Sequence, residues 1–147
     1  MGGQWHQVAK TDPRARMLAD RHYSRQTIGA TCFTGPGKSL ALLTDCGRAV
    51  WAVVENLDAV GQMRWRCTIF RNEGAGLSSS LIREATDRTR DYWIRHYGGL
   101  PSAPLRTEVD RDATRPKRDP GRCFIRAGWR VVGESKGGLV ILDAPTS

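Results

Sequence analysis

The sequence predicts a single α/β (α+β) domain, and three observations carry that prediction. MRWRCTIFR (63–71) alternates apolar and polar side chains with the period of two expected of a half-buried strand. LSSSLIREATDRTRDYWIRHYG (77–98) instead places Leu77, Leu81, Ala85, Tyr92 and Trp93 at roughly helical intervals and stops at Gly98-Gly99. Segments of both kinds follow one another along 147 residues, the size of one domain, and the packed part is expected from about residue 10 to residue 143.

Taken in order, Asp12 before Pro13 is a helix start, because the aspartate can accept from the first backbone N–H groups and proline fits the first turn. PRARMLADRHY (13–23) is therefore a short helix. GATCFTGPGKS is a loop by composition, and SLALLTD (39–45) and RAVWAVVEN (48–56) are two strands of an antiparallel hairpin turning at Asp45-Cys46-Gly47. In the next strand Met63, Trp65, Cys67 and Ile69 should face one side, with Arg64, Arg66 and Thr68 facing the other. The long helix follows RNEGAG. LRTEVD (105–110) is a strand, GRCFIRAG a short helix after a basic loop, and WRVVGES and GLVILDA two closing strands. Gly2-Gly3 and Pro145-Thr146-Ser147 should fray.

A net charge of +8 and a pI near 9.9 favour a polyanionic partner, since clustered Lys and Arg displace counterions from phosphates. The basic residues concentrate in KTDPRARMLADRHYSR (10–25) and in 106–126. A solvated surface is the plain alternative. No run of about 18 apolar residues is present, and the first ten residues lack a secretion signal, so the expected location is the cytosol, away from membranes. Cys32, Cys46, Cys67 and Cys123 form no C-x-x-C pair and read as reduced thiols.

RNEGAG (71–76) lies between a strand and a long helix, the context in which glycines let backbone N–H groups converge on phosphate and the helix end adds partial positive charge. Ser78 and Ser79, with Ser80, lie in the first helical turn, where a hydroxyl either caps the helix or touches phosphate. Glu108 and Asp110 are two apart on a strand and so share a face, as a general base would or as a solvated edge would. His22, Tyr23, Ser24 and Arg25 gather at a helix end beside a polar loop.

This order of elements resembles the GNAT acyltransferase fold. The match rests on Arg71, Gly74 and Gly76 in an R-x-x-G-x-G loop and on Ala127-Gly128-Trp129, where such chains carry Gly-Phe. It implies a central mixed, mostly antiparallel sheet flanked by helices, with acetyl-CoA held by Arg71, Gly74, Ala75, Gly76, Ser78 and Ser79. The position of the tyrosine that protonates the leaving thiolate in many GNAT enzymes is Phe124 here. Narrower blocks, HYSR, PGKSLALLT, FRNEG with the following serines and LIREA, TEVD and PGRCFIRAGW, resemble the phage Mom family of DNA-modification proteins.

That resemblance implies an enzyme acting on double-stranded DNA inside a bacterial host. It places a carbamoylmethyl-type substituent on N6 of adenine, with acetyl-CoA as donor and a bound iron. The N6 amine is a weak nucleophile sheltered in the stack, so the base must be turned out. Tyr23, His22, Ser24, Asp110 and Glu108 are then the catalytic candidates, with Tyr23 or Phe33 stacking on the base and His22 the candidate metal ligand. Arg25, Arg115, Lys117, Arg118 and Arg122 are the candidate DNA contacts. Two alternatives stay open: a GNAT acetyltransferase for a small amine or protein lysine, and a non-catalytic basic DNA-binding protein with a degenerate GNAT fold.

Overall fold

The computed structural model describes residues 4–21, 34, 37–58, 60–110 and 121–146. The elements are β1 (Trp5–Val8), α1 (Pro13–Asp20), β2 (Lys38–Thr44), β3 (Ala49–Leu57), β4 (Met63–Asn72), α2 (Ser78–Tyr97), β5 (Arg106–Asp110), α3 (Arg122–Arg126), β6 (Arg130–Glu134) and β7 (Leu139–Asp143). The strands form one mixed sheet of seven in the order β1-β2-β3-β4-β5-β7-β6. β4 and β5 pair in parallel, and every other neighbouring pair is antiparallel. The parallel junction follows from the connection, because α2 carries the chain back along the sheet before β5 begins.

The expected elements are present, and β1 is an addition. WHQV carries no long apolar run, yet it pairs antiparallel with β2 and sinks Trp5 to 2% exposure. The packed body thus starts at Trp5 rather than near residue 10. α1 ends at Asp20, short of the expected Tyr23; His22, Tyr23, Ser24, Arg25 and Phe33 lie outside the described residues, as do Arg115, Lys117 and Arg118.

The sheet has two unlike faces. Trp51, Val53, Trp65, Cys67, Val109 and Leu142 pack under α2 and α3 with Trp93, Phe124 and Trp129. Ala41, Leu43, Val50, Ala52 and Ile69 pack under α1 with Ala15, Leu18 and Ala19. Ile69 therefore does not share a side with Trp65 and Cys67, as strict alternation predicts. The cause is a bulge: Cys67 pairs with Val53 and Ile69 with Ala52, so Thr68 is an extra residue in β4 and the side chains after it change faces. Met63, expected inside with Trp65, is exposed at the strand's start.

Aromatic packing anchors the α2 face. Phe124 stacks beside Trp51 and meets Phe70 and Trp129 edge-on, with ring centroids 4.9–6.4 Å apart. Trp51 Nε1 donates to Thr89 Oγ1, and Trp93 Nε1 donates to the buried Glu55 carboxylate (3.0 and 2.8 Å). Truncating such a ring costs on the order of 3–5 kcal/mol through lost contacts and the cavity left behind. At the far end of α2, Gly98 takes φ +83° and closes the helix, as its place in the sequence predicts.

Candidate functional site

β4 and β5 bond to each other only where Arg66 meets Arg106 and Cys67 meets Thr107. Past that point β4 runs on to Asn72 beside β3 and β5 to Asp110 beside β7 without pairing with each other, so two parallel strands part at their carboxyl ends. Thr107 Oγ1 donates to the Cys67 carbonyl (3.0 Å), tying β5 to the bulged stretch of β4. The carboxyl ends of strands flanking a change in strand direction are where open sheets bind ligands. RNEGAG leaves β4 at this end.

The loop is organised by Asn72, a residue the sequence reading passed over. Its side-chain oxygen accepts from Gly74 N and Ala75 N (3.2 and 2.8 Å), while its amide nitrogen donates to the Gly76 carbonyl and to Ser78 Oγ (2.8 and 2.9 Å). Such a local turn is what an Asn before glycines can build. Gly74 at φ +101° and Gly76 at φ +140° adopt backbone conformations that a side chain resists. The N–H groups of Gly74 and Ala75 are thereby engaged within the loop, so the amides open to a ligand lie further on, in the first turn of α2.

That first turn has no side-chain cap. Its N-cap is Leu77, itself 67% exposed, and no acidic residue lies in the turn. A twenty-residue helix thus presents its positive end with no cap from its own N-cap side chain. Ser79 is buried at 8%, and Ser78 is bonded to Asn72, so neither serine acts as the helix cap.

Three guanidinium groups surround the loop. Arg71 Nε donates to Glu73 Oε2 (2.5 Å) and its Nη1 to the Arg21 carbonyl (3.0 Å). Arg21 grips the same Glu73 carboxylate through Nε and Nη2 (2.7 and 2.8 Å). The Glu73 carboxyl is held down to about 2 by hydrogen bonds first from Arg21 and then from Arg71. The Arg48 guanidinium lies beside Gly74, 3.6 Å from where a β-carbon there would sit, and the Arg48 carbonyl accepts from Glu73 N–H (2.7 Å). Arg71, expected to hold coenzyme, is here locked to an acidic neighbour and to the end of α1, which leads directly into the HYSR block.

On β5, Glu108 and Asp110 do share a face, opposite buried Thr107 and Val109. Glu108 approaches Arg66 Nη1 (3.7 Å), and Arg106 on the same face grips Asp143 through two bonds (2.7 and 3.1 Å). Arg66 also donates to Asn56 Oδ1 (3.3 Å), while its Nε is buried with no partner among the described residues. Asp110 ends β5 at the same edge of the sheet from which the glycine loop departs. Arg122, the remaining described DNA-contact candidate, is exposed at the start of α3.

Phe124 answers the question its position raises. It is 5% exposed and belongs to the aromatic core, so a hydroxyl there would be buried among Trp51, Phe70 and Trp129. Cys46, Cys67 and Cys123 are free thiols, and burial pushes Cys67 far above the usual thiol range. Among the described residues no three His, Cys, Asp or Glu side chains gather as a metal site, and no helix is long and apolar enough to cross a membrane. In comparisons with known proteins, no protein-family model, curated protein or solved structure matches the chain.

Proposed function

We propose that the chain is a GNAT-like transferase that modifies the N6 amine of adenine in double-stranded DNA, with acetyl-CoA as donor. The observation that carries the reading is the uncapped start of α2 behind a loop with two positive-φ glycines, ringed by Arg21, Arg48 and Arg71 where β4 and β5 part. A diphosphate satisfies the orphaned N–H groups of such a helix end and the surrounding guanidinium charge together. Arg71 and the backbone of Gly76, Leu77, Ser78 and Ser79 are the groups that would hold it. Bound there, acetyl-CoA supplies a two-carbon unit.

The remaining roles fall to the acceptor side. Asp110 and Glu108, at the carboxyl end of β5, are suited to accept a proton from the weakly nucleophilic N6 amine or to orient it. Turning the base out costs a few kcal/mol, which Tyr23 offsets by stacking or hydrogen bonding. Arg25, Arg115, Lys117, Arg118 and Arg122 offset it further through phosphate contacts, in keeping with the net charge of +8. Iron enters only through the resemblance to the Mom family. Among the described residues no metal-ligand set gathers, and His22, the candidate ligand, lies outside them. The core setting of Phe124 is in keeping with a reaction that does not use the acetyltransferase tyrosine.

Mass spectrometry of nucleosides from the DNA of cells expressing the protein tests the proposal directly. A modified deoxyadenosine of increased mass is expected, and only unmodified deoxyadenosine alongside abundant folded protein refutes the reading. Within it, Tyr23→Phe should cut modification by at least about tenfold, near 1.4 kcal/mol of barrier, with acetyl-CoA affinity unchanged. Modification at the wild-type rate removes that hydroxyl from the mechanism.

A further inference from the structure

We propose that Arg21, which lies outside the glycine loop, is a phosphate ligand of that loop, and that Glu73 is the internal anion Arg21 releases when the coenzyme diphosphate arrives. The inference rests on reading RNEGAG as the coenzyme loop. The geometry behind it is that of a guanidinium fork on an oxyanion. Arg21 presents Nε and Nη2 to the two oxygens of one carboxylate, the same two-pronged arrangement that binds a phosphate.

The competing anion is held through solvent-facing contacts. The Arg21 and Glu73 side chains are 47% and 29% exposed, and ion pairs of that kind contribute little in water. A diphosphate carries more charge than one carboxylate, and the uncapped end of α2 adds attraction that Glu73 does not satisfy. The exchange also needs no backbone movement. Glu73 N–H stays on the Arg48 carbonyl, and Arg21 is fixed by its own N–H to the Leu18 carbonyl (3.1 Å) and by Arg71 on its carbonyl. Only side chains swing.

The consequence is a link between the two substrates' sites. Arg21 immediately precedes His22-Tyr23-Ser24-Arg25 in the sequence, so the proposed phosphate ligand adjoins the proposed acceptor block along the chain. With Glu73 as partner, Arg21 is held at the loop before coenzyme binds; with phosphate as partner, it is held by the coenzyme itself.

Calorimetric titration of acetyl-CoA into wild type, Arg21→Ala, Glu73→Gln and the double variant tests the exchange. Glu73→Gln should bind roughly three- to tenfold tighter, since no internal anion remains to be displaced. The double variant should bind at least about fivefold weaker than Glu73→Gln, because Arg21 then contributes only through phosphate. Equal affinity of the double variant and Glu73→Gln would make Arg21 merely a partner of Glu73 and overturn the proposal, as would an unchanged Glu73→Gln. Should Arg21→Ala fail to fold, Arg21→Gln serves in its place with the same expectation. Absence of acetyl-CoA binding by folded wild type overturns the coenzyme reading and this inference together, whereas binding that is indifferent to Arg21 overturns the inference alone.

Discussion

The two longer helices begin in opposite ways. At α1, Asp12 accepts from Arg14 N and Ala15 N (2.9 and 3.1 Å) and Pro13 fills the first turn, so the end is satisfied by its own sequence. At α2, the longer helix, an exposed leucine stands at the N-cap, and Asn72 spends its bonds on the preceding loop and on the Ser78 hydroxyl. Capping chemistry is within this sequence's reach and is used where a helix end has only to be stable. The bare α2 end is set apart by the arginines gathered around it, an arrangement that fits the phosphate-binding role proposed above.

Substitutions at each end sharpen the contrast. The largest effect is expected at Gly74→Val. Among the described residues beyond its chain neighbours, the nearest atom to the new β-carbon is Arg48 Nη1 at 3.6 Å, so the strain comes from φ +101°, and the loop must rearrange. Acetyl-CoA affinity should fall at least about tenfold with the domain still folded, and calorimetry giving wild-type affinity would exclude this loop as the coenzyme site. Next, Asp12→Ala should lower stability by about 1 kcal/mol in denaturant titration without touching acetyl-CoA affinity. Leu77→Asp makes the mirror-image test. It supplies the missing cap and should raise stability by roughly 0.5–1 kcal/mol while weakening acetyl-CoA binding severalfold, through a negative charge at the phosphate end. Stabilisation with unchanged binding would make the bare α2 end an accident of sequence.

The smallest effect concerns pH. The folded Glu73 carboxyl sits at about 2 against an ordinary 4.5, so its contribution is fully present above about 4.5 and is lost as pH falls toward 2. The pair is solvent-facing, so the contribution should be under about 1 kcal/mol. Acid titration of Glu73→Gln should give a slightly flatter stability curve between those values, and an identical curve would show the pair to be energetically silent.

Periodicity and punctuation made most of the fold legible. Asp12-Pro13, the alternation in β4 and the Gly98 stop each act through neighbours within a few residues, and each landed close to its place. What stayed hidden depends on partners far along the chain. β1 is four residues long and exists because it pairs with β2 more than thirty residues later. The bulge at Thr68 is invisible in MRWRCTIFR, whose alternation is unbroken, because a bulge is defined by the opposite strand. The glycine loop could be read from its motif, but the arginine that crosses to it comes from 52 positions away. Asn72 was readable in principle, since Asn ahead of glycines is a turn signal of its own. Phe124 shows another case: sequence marked it as a position emptied of the usual tyrosine hydroxyl, and packing assigns its ring to the core.

The aromatic face of the sheet also decides how this protein can be watched. All five tryptophans, Trp5, Trp51, Trp65, Trp93 and Trp129, belong to the one cluster beneath α2 and α3, each no more than 3% exposed. Their emission should be blue-shifted in the native state and move to the red in one step when that cluster opens to water. None lies among the residues of the glycine loop or on β5. Intrinsic fluorescence is therefore a faithful meter of global unfolding and a poor one of ligand binding. A tryptophan placed at Leu77, exposed at the head of α2, would supply the missing optical probe.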